Sequence, residues 1–217
     1  MDLDEAAFLR FLAGRLPPRA QHHVIDVGAA AGNYTAEVLA SAIPNPVCWT
    51  VEPRADAAEA LRARFADRPN VHVLELAVSD HDGTVDDFVV APFAEFSHMR
   101  GRFPGDTAVT VTVRTVDRIV ADEGIDLVTL LKIDTEGFEP QVIAGARALR
   151  HAGLVHAIQL EYGGTWGQGP PLNSVLDELR ADGFDIYQVP HLDGRVVRID
   201  GPSAEDLAFR NLLAVQR

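Results

Sequence analysis

Cysteine and lysine are nearly absent from this chain of 217 residues. Its one cysteine, Cys48, excludes an internal disulfide framework and any cysteine-based metal cluster. No apolar run approaches the roughly 18 residues that span a bilayer. Residues 1–5 carry three acidic side chains and no basic one, which is unlike a secretory signal. We therefore expect a cytoplasmic protein without a membrane partner.

The chain is also poor in positive charge. It has 19 lysine and arginine residues against 32 aspartate and glutamate residues, a net charge of −13. Phosphate backbones attract basic surfaces, so this balance argues against a nucleic-acid partner and favours a neutral or cationic small molecule. Only Lys132 is a lysine. A compositional bias of the source genome is the simplest reason for the scarcity of lysine. The presence of a single lysine nevertheless draws attention to Lys132.

Short apolar runs alternate with helical patterns along most of the chain. We predict one domain over residues 1–217, with an N-terminal cap helix in residues 1–20 and a core in residues 21–217. The alternation predicts an α/β fold with a doubly wound, mostly parallel sheet. Asp193-Gly194 is a hairpin signal and predicts an antiparallel hairpin strand near the C-terminus. The pattern also predicts a strand over residues 71–78 and a helix over residues 139–149.

A small-residue loop follows the first predicted strand of the core. Asp26 ends that strand, and Gly28 and Gly32 permit a tight turn and a close approach to a ligand. A dinucleotide loop has glycines at i, i+2 and i+5, whereas these lie at i and i+4. The loop is more similar to the acidic-x-Gly-x-Gly-x-Gly loop of class I S-adenosylmethionine (SAM) methyltransferases, with Ala30 replacing the middle glycine. A turn that binds nothing is the alternative.

Two further positions fit nucleotide binding. Glu52 ends the second predicted strand, 20 residues beyond Gly32, where an acid accepts hydrogen bonds from ribose hydroxyls. Ala77 lies near the end of the third predicted strand, and Ser79 and Asp80 follow it, where an adenine ring would lie in such a fold.

A cluster of charged residues ends the most hydrophobic strand of the chain. Lys132 lies inside the apolar run, and Asp134, Glu136 and Glu139 follow it. Ligands bind at the carboxyl edge of open α/β sheets, where Asp26, Glu52 and Glu161 are also expected. The alternative is a structural ion pair, with acids that stabilise a helix N-terminus.

Five segments together resemble the FkbM family of SAM-dependent methyltransferases. They are Val-Ile-Asp-Val-Gly-Ala-Ala-Ala-Gly-Asn-Tyr-Thr, Val-Glu-Pro, Leu-Ala-Val-Ser-Asp, Thr-Val-Asp-Arg-Ile and Leu-Lys-Ile-Asp-Thr-Glu-Gly-Phe-Glu, within residues 24–162. The resemblance implies a class I methyltransferase (Rossmann-like) fold and O-methylation of small-molecule hydroxyls, often on sugars or polyketide products. The family commonly has asparagine where this chain has Ala30. The residues that we assign to cofactor binding are Asp26, Gly28, Ala30, Gly32, Tyr34, Glu52, Ala77, Ser79 and Asp134.

Transfer to a hydroxyl needs a base that removes its proton. Asp134 is the first candidate, Glu136 the second and His98 the third, and Lys132 completes the catalytic set. His98 lies in a loop over residues 91–107 that could close over the site. Asp134 and Glu161 could instead hold Mg²⁺ with substrate oxygens, although we expect a metal-independent reaction.

The acceptor is less defined by the sequence. Loops over residues 91–107 and 163–171 are expected to shape its pocket, with Phe96, Met99, Phe103 and Trp166 as apolar walls. We expect a monomer or a homodimer. Two rival functions are an NAD-dependent oxidoreductase, whose glycine spacing differs, and a non-catalytic nucleotide-binding protein, which would not need the cluster around Lys132.

Overall fold

The computed structural model describes residues 3–90, 107–162, 170–189, 195–200 and 210–217. Helices and strands alternate through these residues. The helices are α1 (Leu3–Ala13), α2 (Asn33–Ala40), α3 (Ala55–Arg64), α4 (Val116–Glu123), α5 (Glu139–Ala144), α6 (Arg147–His151) and α7 (Leu172–Ala181). The strands are β1 (His22–Val27), β2 (Pro46–Val51), β3 (Val71–Leu74), β4 (Ala77–Val78), β5 (Gly83–Val90), β6 (Thr107–Arg114), β7 (Val128–Ile133), β8 (Ala157–Tyr162), β9 (Phe184–Gln188), β10 (Val197–Arg198) and β11 (Arg210–Gln216).

The larger sheet has eight strands in the order β10-β9-β11-β8-β7-β1-β2-β3. Strands β3, β2, β1, β7 and β8 are parallel to one another. Strand β11 lies antiparallel between β8 and β9, and β10 is antiparallel to β9. The predicted mostly parallel sheet with an antiparallel C-terminal region is therefore confirmed. The Asp193-Gly194 turn lies outside the described residues.

Helices cover both faces of this sheet. Successive side chains of a strand point to opposite faces, so the apolar strands need a layer of helices on each side. Val24 of β1 packs in the core that contains residues of α1 and α2. Ile25 and Val27 point to the opposite face and pack with residues of α4, α5, α6 and α7. Every residue of β7 is buried, as its continuous apolar run predicts for a central strand. None of the helices in the described part of the chain is both long and apolar enough to cross a membrane.

The predicted strand over residues 71–78 is wrong as one element. The chain leaves the large sheet after β3, and β4 joins a separate three-stranded sheet in the order β4-β6-β5. Ala77 pairs with Val113 of β6 and packs in a small core that includes Phe88. A run of apolar residues cannot reveal that its two halves belong to different sheets.

The predicted helix over residues 139–149 is also wrong as one element, since it divides into α5 and α6. The amides of Ala148 and Leu149 donate to the Asp117 carboxylate at 2.9 and 3.0 Å. The Gly145 carbonyl accepts from the Asp117 amide at 3.0 Å. A continuous helix would have used these amides and this carbonyl internally. A tertiary contact with α4 therefore ends α5 and starts α6.

Candidate functional site

Four neighbouring strands bring polar side chains into one row on the sheet. Thr50 of β2 pairs with Asp26 of β1, Asp26 pairs with Lys132 of β7, and Lys132 pairs with Gln159 of β8. Residues in register on adjacent strands place their side chains on the same face. We call Thr50, Asp26, Lys132 and Gln159 the inner polar row. All four are buried.

Helix α2 covers the inner polar row with two polar side chains. The Thr35 hydroxyl donates to Asp26 Oδ2 at 2.7 Å and lies 3.1 Å from the Thr50 hydroxyl. The Tyr34 hydroxyl donates to Gln159 Oε1 at 2.7 Å. Tyr34 is buried, so the side chain that we assigned to cofactor binding has its hydroxyl engaged within the protein.

A second row lies one step further toward the carboxyl ends of the strands. It consists of Glu52 after β2, Asp134 after β7 and Glu161 near the end of β8, and we call it the acidic edge. Ligands of open α/β sheets bind at this end. The structure places Glu52, Asp134 and Glu161 there, as expected, whereas Asp26 lies one step further back, in the inner polar row.

Lys132 links the inner polar row to the acidic edge. Its Nζ donates to Asp134 Oδ2 at 2.8 Å. Burial opposes the charge of Lys132, but the carboxylates of Asp134 and Asp26 outweigh burial and raise the pKa of the ammonium. Burial likewise opposes the charge of Asp134, and Lys132 outweighs it, so the pKa of Asp134 is lowered. Both groups are therefore ionised at neutral pH.

The carboxyl group of Glu161 behaves differently. Burial, a hydrogen bond with Asp134 and the negative charges of Asp134 and Glu136 raise the pKa of Glu161 to about 8. At neutral pH Glu161 therefore keeps a proton, which it donates toward the ionised Asp134. Two acids with opposite protonation states at one site suit proton transfer.

Three carboxylates of this region converge. Asp134, Glu136 and Glu161 each offer one oxygen, and these oxygens lie within 4.8 Å of one another. Oxygen donors of this kind suit Mg²⁺, and Glu136 adds a third ligand to the two that we expected. Acidic groups also gather without an ion, so the cluster alone assigns no metal.

The two glycines of the loop after β1 pack closely against other parts of the protein. Gly28 has a φ of 80°, and a Cβ there would lie 1.8 Å from the carbonyl oxygen of Asp134. Gly32 has a φ of 78°, and its Cβ would lie 2.6 Å from Leu61 and 2.8 Å from Phe65 of the α3 region. Both positions therefore require glycine for backbone conformation and internal packing, whatever the loop binds.

Glu52 is bound to the same loop. Its Oε2 accepts from the Ala30 amide at 3.0 Å, and its Oε1 accepts from the Arg54 amide at 3.0 Å. Burial raises the pKa of Glu52, although these two hydrogen bonds oppose the increase. Each carboxylate oxygen can accept a further hydrogen bond, so Glu52 can still receive a pair of ribose hydroxyls.

Asp26 offers a second sign that the loop suits a cofactor. Its Oδ1 is buried and has no hydrogen-bond partner among the described residues. Burial raises the pKa of Asp26, against the opposing charge of Lys132. A buried carboxylate oxygen without a donor is costly. A bound group that brings an N–H donor to this loop would satisfy it, as the amino group of SAM could.

Other predicted site residues have different surroundings. Ala77 and Ser79 are buried; the Ser79 amide donates to the Arg114 carbonyl at 3.0 Å, and its hydroxyl donates to Asp80 at 3.2 Å. Their assignment to adenine binding stays a prediction. His98 lies outside the described residues. So do residues 91–106 and 163–169, which form most of the two loops, over residues 91–107 and 163–171, that were expected to shape the acceptor pocket.

Sequence reasoning missed the polar partners within the sheet. Thr50 lies two residues before Glu52, and Gln159 lies two residues before Glu161. Residues two apart on a strand share a face, so this spacing was the available signal. Glu139 was expected in the acidic cluster, but its carboxylate bonds the loop that precedes it.

The comparisons with known proteins agree with this geometry. A family model described as the methyltransferase FkbM domain matches residues 26–186. The crystal structure of methyltransferase FkbM from Methylobacillus flagellatus KT is similar, with a TM-score of 0.59 and 18% sequence identity. The match covers 97% of this chain and 47% of that one, so this chain spans about half the length of that relative.

Two further solved structures share the fold. The METTL16 methyltransferase domain has a TM-score of 0.55 at 11% identity, covering 97% of this chain and 65% of that one. A human methyltransferase 10 domain containing protein has a TM-score of 0.51 at 9% identity, and the match covers 97% of this chain and 79% of that one. No curated protein sequence matches the chain. The predicted class I methyltransferase fold is confirmed.

Proposed function

The chain belongs to the FkbM family of methyltransferases, and we propose from this premise that it is a SAM-dependent O-methyltransferase. The substrate is a hydroxyl of a small molecule, of the sugar or polyketide type. One observation carries the proposal: Asp134, kept ionised by Lys132, lies directly against the glycine loop. A base and a cofactor loop are thereby combined at one edge of the sheet.

The residues of the loop region suit SAM. Glu52 has free acceptor capacity for the ribose hydroxyls, and Asp26 Oδ1 lacks a donor. When bound, SAM supplies an electrophilic methyl group on a positively charged sulfur. Glu136 and the ionised Asp134 add negative charge to that region, which favours a cationic ligand.

The chain's own contribution is to orient the acceptor and to accept its proton. Asp134 is an ionised carboxylate at the carboxyl edge and suits a general base, because a positioned carboxylate can accept the hydroxyl proton as the new bond to carbon forms. Glu161 donates a hydrogen bond toward Asp134 and so holds its orientation. Glu136 stays the second candidate base. His98 stays a prediction, since it lies outside the described residues.

The partners follow from charge. The net charge of −13 supports a neutral or cationic small-molecule acceptor in place of a nucleic acid. A monomer or a homodimer is consistent with this proposal.

A metal-dependent form of the same reaction is favoured by one observation, the convergence of Asp134, Glu136 and Glu161. In that case the three carboxylates would hold Mg²⁺, and the ion would bind the acceptor oxygen. Activity that is lost in a chelator and restored by Mg²⁺ would support this form. Full activity in the chelator would support the metal-independent form.

The first test measures binding. Calorimetry and thermal shift with SAM, S-adenosylhomocysteine and NAD should show binding of the first two. Stabilisation by NAD alone, or by none of the three, would contradict the proposal.

The second test measures transfer of an isotopically labelled methyl group from SAM to a panel of sugars and glycosylated polyketides. Any labelled product should carry the methyl group on oxygen. Asp134→Asn should reduce turnover far more than SAM affinity. Asp122→Asn is the matched control, because Asp122 forms a surface ion pair with Arg118 and should retain full turnover.

A further inference from the structure

Glu139 begins α5 and is 2% exposed. An acid at this position is usually explained by the positive end of the helix dipole. Here the carboxylate has a more specific environment, because it accepts hydrogen bonds from the loop that precedes the helix. Oε1 accepts from the Thr135 amide at 2.8 Å, from the Thr135 hydroxyl at 3.0 Å and from the Gly137 amide at 3.2 Å, and Oε2 accepts from the Gly137 amide at 3.1 Å.

This loop, residues 134–138, has an unusual backbone. Glu136 has a φ of 54° and Gly137 a φ of 104°. The left-handed region is unfavourable for a residue with a Cβ, by about 1 kcal/mol. The hydrogen bonds from Thr135 and Gly137, on both sides of Glu136, offset that cost. Glu139 therefore holds Glu136 in the conformation that brings its carboxylate near Asp134 and Glu161.

The loop also packs against the glycine loop after β1. The Asp134 amide donates to the Val27 carbonyl at 3.1 Å. The Asp134 carbonyl fills the space where Gly28 lacks a side chain. A displacement of residues 134–138 is thus transmitted directly to the backbone of the glycine loop.

We propose that Glu139 is a positioning residue that anchors residues 134–138, and thereby sets the places of Asp134 and Glu136 beside the glycine loop. The proposal rests on the proposed function for the identity of the cofactor. It assigns to Glu139 no contact with cofactor or substrate. Its effect on binding is exerted through Asp134, Glu136 and the backbone at Gly28.

The test compares Glu139→Gln with Asp117→Asn. Both substitutions replace a carboxylate that accepts from two backbone amides, but Asp117 caps α6, outside the acidic edge and the glycine loop. Amide hydrogen exchange and calorimetric affinities for SAM and S-adenosylhomocysteine are measured for each variant. The two affinities report different things, because SAM carries a positive charge and S-adenosylhomocysteine does not.

We expect Glu139→Gln to speed exchange at Thr135 and Gly137 and to weaken SAM binding about tenfold, the effect of one lost charge-assisted hydrogen bond. S-adenosylhomocysteine should lose less affinity, because misplaced carboxylates matter most to a cation. Asp117→Asn should speed exchange at Ala148 and Leu149 and leave both affinities unchanged. Thr135→Val, which removes one of the hydrogen bonds, gives a milder form of the same pattern if Glu139→Gln does not fold.

If Glu139→Gln and Thr135→Val both bind SAM with the affinity of the wild type, the positioning role is overturned. The proposed function would remain intact in that case. An equal loss for both ligands with unchanged exchange at Thr135 and Gly137 would overturn the positioning role as well. An equal loss with faster exchange at these two amides alone would support it and assign the effect to the backbone at Gly28. Absence of SAM binding by the wild type would contradict the proposed function. In that case unchanged exchange at Thr135 and Gly137 would overturn the anchoring role, and faster exchange would support it.

Discussion

The carbonyl oxygen of Asp134 occupies the place where a side chain at Gly28 would begin, 1.8 Å from the position of a Cβ. The loops after β1 and β7 therefore meet backbone to backbone at the carboxyl edge of the sheet. One loop is the candidate cofactor loop, and the other carries the candidate base. Their separation is fixed by this contact and by the hydrogen bond between the Asp134 amide and the Val27 carbonyl.

Substitution of Gly28 by alanine should prevent folding or cost several kcal/mol, because the clash involves backbone atoms that cannot rotate away. Gly153→Ala is the matched control. Gly153 also has a positive φ, 67°, but a Cβ there meets nothing within 4 Å, so its cost should be about 1 kcal/mol. Chemical denaturation of both variants measures the difference. Equal stability of the two would show that the loops are not in this contact.

Replacement of Lys132 by methionine should be strongly destabilising, by about 3–5 kcal/mol, because it leaves the buried Asp26 without a compensating charge. Arg62→Met is the control, since Arg62 and Glu75 form an exposed pair that should contribute less than about 1 kcal/mol. The free energy of unfolding, measured by denaturation at pH 7, tests both values.

The same variant has a predictable pH dependence. Lys132 lowers the pKa of Asp134 in the folded protein, so its stabilising effect is present above the unfolded pKa of Asp134 and is lost as the pH falls through the folded one. The stability gap between wild type and Lys132→Met should therefore narrow in acid. A gap that widens in acid would contradict the ion pair.

The central part of the fold was predictable because each signal was local. The apolar run of β7 and the glycine loop after β1 are read from consecutive residues. The position of β11 between β8 and β9 could not be predicted, because the pairing of strands distant in sequence has no signal in consecutive residues. The division of the predicted helix into α5 and α6 at Gly145 depends on Asp117, 28 residues earlier. It therefore could not be predicted from the local sequence either.

The candidate site shows the same limit. The acids at strand ends were predicted, since parallel strands end at one edge. The assignment of Gly28 and Gly32 to cofactor binding stays a prediction. The sequence did not reveal that Asp134, Leu61 and Phe65 also leave no room for a side chain at these two positions. The sequence identifies which residues reach the edge, but only tertiary packing decides which of them face the protein.

Removal of the Asp134 charge should lower the pKa of Glu161. Burial raises this pKa to about 8, with the hydrogen bond and charge of Asp134 as further causes, and Asp134→Asn removes the repulsion that opposes ionisation of Glu161. Carboxyl-carbon NMR titration measures the pKa of Glu161 in the wild type and in Asp134→Asn. The Glu161 resonance is assigned as the one that Glu161→Gln lacks. An unchanged midpoint would show that the two carboxyl groups do not share a proton.

Two histidines, the buried His22 and the half-buried His156, should contribute a sensitivity to acid. His22 is 1% exposed, with its Nδ1 3.3 Å from the Thr129 hydroxyl. Burial lowers the pKa of His22, assisted by the charge of Arg19, and burial with the neighbouring His22 lowers that of His156. Below about pH 6.5 the unfolded chain binds protons at these sites before the folded protein does. The contribution of the two histidines to the free energy of unfolding should therefore be constant above that pH and fall below it, by at most about 1.4 kcal/mol per pH unit for each histidine. Denaturation of the wild type and of the variant with both His22 and His156 replaced by glutamine, between pH 5 and 8, tests this. The difference in the free energy of unfolding between the two proteins isolates the histidines from Glu161, whose raised pKa acts in the opposite direction. This difference should change below about pH 6.5 and stay constant above it. A difference between the two proteins that does not change with pH would contradict the prediction.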